Sequence, residues 1–357
     1  MEGPRTIKFN ELNSAINLSN SVFRINAGRK PTMHLEFPHL FSKDNAGNIM
    51  AFFDNNNVAS MMAMYYYDMI YYGCNLKISC LGSVCTDPEY RGNGLATKLL
   101  KACEDKMDND DIDICIISGG RGLYVNNGYK KIGKVYHVTF NKECEFNDSG
   151  YDIKKIDDIN EDSVRIIHKI YENEPIRFVR PLTQFEDLLK AASFSNVIMG
   201  EQRIYIAYKN DIPVSYIIYS RLDDKKGQMI EYVGNIDGVM SAISYIMKND
   251  DIDKLEFWFF KDDFRLLNIS DAKEESLPGT VKIINKERFL EKMSLYLKEN
   301  LKDDDYNNFL NLVKSYKQNP SEFTELMFCD TEDVKENELL NKVLPLNFVW
   351  TYGLNYI

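Results

Sequence analysis

Apolar positions change their period repeatedly along the chain, and each change marks an element. A short strand at 6–9 precedes an amphipathic helix over 11–24, and a loop carrying Gly28, Pro31 and Pro38 follows. Three strand-like segments come next, Asn48–Asp54, Val58–Tyr72 and Leu76–Cys85, punctuated by Asn55-Asn56-Asn57 and Gly73-Cys74-Asn75. Leu95, Leu99, Cys103 and Met107 recur at i, i+4 spacing and predict a helix. Asp111–Ile116 alternates strictly and predicts a strand. A short helix near 121–127 ends at Gly128, and a strand over Val135–Phe140 closes this first group near residue 145.

After a polar, turn-rich stretch at 143–153, a plausible linker, a similar order starts again. It runs through a strand Tyr151–Ile156, helices Glu161–Tyr171 and Thr183–Ala192, and a hairpin of Arg203–Tyr208 with Val214–Ser220. Met229–Tyr232, a helix over Val239–Met247 and the strand Lys254–Phe260 complete it. From about 270 the character shifts to one apparent strand, Val281–Ile284, helices near 286–299 and 305–317, and an apolar end. The pattern therefore predicts an α/β (α+β) protein with mixed central sheets in three parts, 1–145, 151–268 and 269–357.

Composition narrows the function classes. With 44% hydrophobic and 27% charged residues, the chain of 357 residues can bury substantial cores, which excludes disorder as its main state. A net charge of −11 makes it a poor overall match to a nucleic-acid backbone and points to a small-molecule partner. Seven scattered cysteines with no C-x-x-C pair argue against a disulfide framework and against a structural metal. Without a signal peptide or an apolar run of about 18 residues, a cytoplasmic location away from membranes is expected.

The most informative stretch is Val84-Cys85-Thr86-Asp87-Pro88-Glu89-Tyr90-Arg91-Gly92-Asn93-Gly94-Leu95-Ala96. A strand ends, the chain turns at Asp87-Pro88, and a glycine-bearing loop opens directly into a helix. Gly92 and Gly94 allow positive φ or close backbone approach, and free N–H groups at a helix start favour an anion. Arg91 adds a fork of donors suited to a diphosphate. The letters exclude a Walker loop, since no Gly-Lys-Ser/Thr follows, and a dinucleotide fingerprint, since Thr97 stands at its third glycine.

The full pattern, R-G-x-G-x-A after a strand containing Val-x-Thr-x-Pro, resembles the GCN5-related N-acetyltransferase (GNAT) superfamily over about 5–145. The resemblance implies that Val84, Cys85 and Thr86 offer backbone contacts to the thioester and pantetheine of acetyl-CoA, the acyl-donor substrate. It implies that Arg91, Gly92, Asn93, Gly94, Leu95 and Ala96 cradle the phosphates. Leu123-Tyr124-Val125-Asn126-Asn127-Gly128-Tyr129 matches the later motif of the family, in which the first tyrosine lies near the departing thiolate. Acyl transfer needs a proton for that sulfur, and a tyrosine with its ordinary pKa near 10 is protonated at neutral pH. Tyr124 is one of 22 tyrosines and packing alone would account for it; the neighbouring loop favours the acid role.

No histidine lies on either motif. His34, His39 and Glu36 lie in the loop 31–41, which in this family often lines the acceptor pocket; Glu36, Phe37 and His39 are the substrate-contact candidates. A second candidate base is the chain's end. Its apolar, aromatic close, Leu344–Ile357, implies docking, which would bring the carboxylate of Ile357 into the fold.

Tandem organisation and this ending make the chain similar to the enhanced intracellular survival (Eis) group. There the resemblance implies a second GNAT unit without cofactor binding, a third domain like the sterol carrier protein, and a terminal carboxylate acting as base. Gly234-Asn235-Ile236-Asp237-Gly238 agrees, having no Arg and an acid where phosphates would sit. The third segment is short for a sterol-carrier-like fold, and Gly92 and Asn93 stand where the group often has arginine. The reading is an acetyl-CoA-dependent N-acetyltransferase acting on a primary amine of a small or peptidic acceptor such as an aminoglycoside, polyamine or lysine side chain. The Eis resemblance also allows a homo-oligomer. The alternative from another class is a non-catalytic acyl-CoA- or lipid-binding protein.

Overall fold

The computed structural model describes residues 1–144, 150–316 and 319–357, so the expected linker at 143–153 lies partly outside the described residues. The chain divides into two compact units. One comprises Met1–Gly133, Pro278–Phe348 and Ile357; the other comprises Lys134–Leu277 and Val349–Tyr356.

The first unit is built on β1 (Glu2–Thr6), α1 (Leu12–Phe23), α2 (Met33–Glu36), β2 (Ile49–Asp54), β3 (Asn57–Tyr71), β4 (Cys74–Thr86), α3 (Leu95–Asn109), β5 (Ile114–Ile117) and α4 (Gly122–Val125). Its sheet runs β1-β2-β3-β4-β5 and then the strand Thr280–Ile283. All neighbours are antiparallel except β4 and β5. The apolar stripe of α3, Leu95, Leu99, Leu100, Cys103 and Met107, packs with Met62, Met64, Leu81, Cys115 and Ile117 in one buried cluster. Period-3.6 and period-2 faces therefore meet as the pattern requires.

The second unit holds β6 (Val135–Asn141), β7 (Asp152–Ile156), α5 (Glu161–Tyr171), β8 (Ile176–Phe178), α6 (Leu182–Ala191), α7 (Ser193–Val197), β9 (Glu201–Lys209), β10 (Ile212–Arg221), β11 (Lys226–Gly234), α8 (Ile236–Asn249), β12 (Lys254–Phe260) and β13 (Lys273–Glu275). Its sheet order is β7-β9-β10-β11-β12-β6-β13, again with one parallel pair, β11 with β12. Each sheet thus repeats the same plan, an antiparallel meander followed by one parallel partner and an antiparallel edge. This is a tandem GNAT fold.

Two assignments differ from the sequence reading. The strand Val135–Asn141, expected to close the first group, pairs antiparallel with β12 in the second sheet. Its place beside β5 is taken by Thr280–Ile283. Both segments alternate apolar and polar residues, so either suits such an edge, and periodicity cannot assign partners. Residues 278–348, expected as a separate sterol-carrier-like domain, belong to the first unit. Among the described residues their one strand is committed to β5. The fully buried carboxylate of Asp113 further binds them there, accepting from Arg288 Nε at 3.2 Å and Lys292 Nζ at 2.7 Å. An unpaired carboxylate so placed would be costly, so the segment's cations hold it against the sheet.

Candidate active site

The site begins where β4 and β5 part. Their parallel pairing runs from Ile78–Ile114 to Leu81–Ile117 and stops. Beyond it, β4 continues to Thr86 and remains paired with β3. The register with β3 shifts between Ala63–Gly82 and Met61–Cys85, a bulge in which Ser83 adopts φ 46°. Ser83 is held there by Ser19, hydroxyl to hydroxyl at 2.7 Å. The edge of β4 from Gly82 to Thr86 that β5 would cover therefore presents backbone donors and acceptors to an extended ligand. This is the edge that carries Val84, Cys85 and Thr86.

Asp87 then caps a single turn over Pro88–Tyr90, its Oδ1 accepting from Glu89 N at 3.0 Å. Tyr90 is tied down through its hydroxyl to Asp54 Oδ2 at 2.7 Å. Arg91 Nε donates to Thr86 O at 3.2 Å and Asn93 Nδ2 to Tyr90 O at 3.0 Å, so both side chains brace the loop itself. Gly92 and Gly94 have φ 81° and 70°, and an ideal Cβ on either would meet nothing within 4 Å. Gly94 is the N-cap of α3 and supplies no side-chain acceptor. The first N–H groups of the helix, on Leu95 and Ala96, are thus left to an external anion, which the helix dipole also favours.

Tyr124 sits on α4, fixed by its N–H to Arg121 O at 2.9 Å and by Tyr129 N donating to its carbonyl at 3.1 Å. It is buried in the α3-side cluster with Leu81 and Ile117. Its ring passes so close to Gly119 that an ideal Cβ there would lie 3.3 Å from Cε2. Its hydroxyl has no hydrogen-bond partner among the described residues. Burial, partly offset by the Arg121 charge, pushes its pKa up to about 12, so it is a neutral donor across the physiological range. Burial likewise raises the Cys85 thiol to about 12, which removes thiolate nucleophile character beside the bulge.

Ile357 enters from the other side of the sheet. Its carbonyl oxygen accepts from Ser118 Oγ at 3.1 Å, at the first residue past β5. An ideal Cβ on Gly82 would stand 2.7 Å from its carboxyl carbon. Gly82 pairs with Ala63, so it shares the sheet face of Ala63 and Tyr65 and not the face of Met62 and Met64 that packs on α3. Ile357 thus lies between the edge of β4 at Gly82 and the first residue past β5, Ser118.

The loop 31–41 supplies less than the resemblance implies. The Glu36 carboxylate is buried in a two-pronged pair with Arg24 and also accepts from Thr32 Oγ1. Burial opposes ionisation, but the bonds from Arg24 and Thr32 outweigh it and hold Glu36 below the usual carboxylate range. Its evident work is to fasten α2 to the end of α1. Phe37 is buried, and the His39 ring lies 5.7 Å from that of Tyr65, on the same face as Gly82. Gly82, Ser118 and Arg24 escaped the sequence reading; a glycine inside the apolar strand Ile78–Thr86 was the available signal of a bulge or close approach.

Residues 4–132 match the acetyltransferase (GNAT) domain family. The first unit carries a GNAT acetyltransferase domain. The protein is therefore an acyltransferase, and such domains draw on acyl-CoA donors. No curated protein matches the chain by sequence. In fold it is similar to a probable N-acyltransferase from Enterococcus faecalis, at 16% identity and TM-score 0.64 over 80% of this chain and 73% of that one. It is also similar to a GCN5-related N-acetyltransferase from Anabaena variabilis (16%, TM-score 0.60, 79% and 72%). Eis1 from Mycobacterium abscessus shares the fold at 12% identity and TM-score 0.51, over 69% and 67%.

The second unit allows an internal comparison of the two GNAT folds. The counterpart of α3 is α8, which follows β11 as α3 follows β4. Its N-cap is Asn235, whose Oδ1 accepts from Gly238 N at 3.0 Å and from the Tyr151 hydroxyl at 2.9 Å. Asp237 adds a carboxylate to the first turn. Gly234 N is spent on Glu174 Oε1 at 3.1 Å. The donors that α3 leaves open are thus satisfied internally in α8, beside a charge that repels phosphate.

Proposed function

We propose that the protein is an acetyl-CoA-dependent N-acetyltransferase of the Eis-like tandem type, transferring acetyl to a primary amine at the first unit alone. What supports this reading is the uncapped start of α3 directly after the β4 edge that β5 leaves unpaired, with Ile357 against Gly82 and Ser118 beside that edge. Leu95 and Ala96 N–H groups with Arg91, Gly92, Asn93 and Gly94 receive the diphosphate. Val84, Cys85 and Thr86 align the pantetheine arm as an added strand.

Transfer forms a C–N bond and breaks the C–S bond of the thioester. The acceptor, bound as an ammonium, loses two protons, one before attack and one as the C–N bond forms. The departing sulfur gains one, and the other leaves by way of Ile357 to water. Ile357 receives the amine's proton, directly or through a water, and holds the cationic amine in place beforehand. An α-carboxylate near 3.5 is a weak base towards an amine near 10, so much of its contribution is orientation and charge. Tyr124 donates to the sulfur as charge develops on it. With Cys85 kept as a thiol, the amine attacks the thioester directly. The carboxyl group of Ile357 in the cleft favours a cationic acceptor.

Free CoA release from acetyl-CoA, followed across a panel of polyamines, aminoglycosides and lysyl peptides, tests the reading. Release with at least one amine is expected. Binding of acetyl-CoA with no release for any amine would overturn it.

A further inference from the structure

A hydroxyl on the face that a helix buries is costly unless it is bonded. The helix α1 carries one, since Ser19 is fully buried alongside Leu12, Ala15 and Leu18. A helical serine can bond back to the carbonyl four residues earlier. Among the described residues, the partner of Ser19 Oγ is instead Ser83 Oγ on β4, at 2.7 Å. Both residues belong to the first unit.

Ser83 is a residue that needs holding. Its φ of 46° lies in the left-handed region, which a residue with a Cβ disfavours and keeps only where its surroundings fix it. It falls inside the register shift between Ala63–Gly82 and Met61–Cys85, directly after the last β4–β5 pair, Leu81–Ile117. A bulge bends its strand and re-aims the residues beyond it. The far end of this bulged stretch is fastened separately. Ser60, fully buried on β3, lies with its Oγ 2.7 Å from Thr86 Oγ1 and donates to Cys85 O at 3.3 Å. Asp87 N donates to Ala59 O at 2.9 Å. With that end tied to β3, the side-chain bond at the near end is the one from Ser19.

We infer that Ser19 is a positioning residue, whose hydroxyl holds Ser83 in the left-handed bulge and thereby aims the β4 edge from Val84 to Thr86 at the pantetheine arm of the acyl donor. Ser19 acts through Ser83, and the inference rests on the proposed use of that edge.

The test compares two dissociation constants, measured by calorimetry on the full chain. One ligand is CoA; the other is 3′-phospho-ADP, which is CoA without its pantetheine arm. Ser19→Ala is expected to weaken CoA about five- to tenfold, the worth of one hydrogen bond, and to leave 3′-phospho-ADP within about twofold. A merely structural role would weaken both ligands together. Glycine holds a positive φ at no steric cost, so Ser19→Ala combined with Ser83→Gly should regain most of the lost CoA affinity. Unchanged CoA affinity in Ser19→Ala, equal weakening of the two ligands, or no recovery with Ser83→Gly would each overturn the inference. If the wild type binds no CoA, the proposed function fails, and amide hydrogen exchange at Ser83–Thr86 decides whether Ser19 holds the bulge. Faster exchange in Ser19→Ala then supports the hold, and unchanged exchange overturns it.

Discussion

Gly82 and Ile357 are 275 positions apart in sequence, yet a methyl group on Gly82 would stand 2.7 Å from the carboxyl carbon of Ile357. The glycine does not have the left-handed φ of Gly92 or Gly94, so its need is for space rather than for backbone freedom. Gly82→Ala should therefore fold normally and expel the terminal carboxyl group. Turnover is expected to fall about 10²-fold with acyl-CoA affinity retained, read by CoA release and calorimetry. Retained turnover would mean that Ile357 stands aside from the chemistry.

Tyr124→Phe removes one oxygen from a buried ring that otherwise keeps its packing with Leu81 and Ile117. Turnover should drop by about 10² to 10⁴, the span of a general acid, with acyl-CoA binding within a few fold. An effect confined to acyl-CoA affinity would assign Tyr124 to packing.

Raised tyrosine pKa values carry a stability consequence. Burial holds Tyr124 near 12, against about 10 in an unfolded chain, and Tyr352 also near 12. A group whose folded pKa is raised binds its proton more tightly when folded. Its contribution is complete below about pH 10 and is lost as pH rises towards 12. Denaturation midpoints should therefore be flat to about pH 10 and fall steeply above it. In the same window, tyrosinate absorbance should rise in step with loss of structure. Titration of these groups without unfolding would contradict the burial argument.

The phosphate loop is tested by Arg91→Ala. Arg91 both braces Thr86 O and adds charge beside the open start of α3. The KM for acyl-CoA should rise about tenfold, more at low salt than at high salt, with kcat nearly unchanged. An unchanged KM would show that the backbone cradle suffices.

Much of the local structure was legible in the residues. The stripe Leu95, Leu99, Cys103 and Met107 and the spacing from Arg91 to Ala96 follow from periodicity and from loop chemistry, which are local. Partner choice was not legible. Val135–Asn141 and Thr280–Ile283 are alternating strands of similar character, and nothing local indicates that the second takes the place beside β5 expected of the first while the first pairs with β12. Glu36 looked like a pocket acid because its partner, Arg24, lies twelve positions earlier on a helix read only for its apolar face. The link from Ser19 to Ser83 is longer still and has no motif.

The central claim is that the carboxyl group of Ile357 takes part in acyl transfer. Extending the chain by three glycines beyond Ile357 moves that group without altering any side chain. Turnover with the best amine should fall by about 10² or more, while the dissociation constant for acetyl-CoA stays within about twofold. Equal turnover in the extended and native chains would contradict the account.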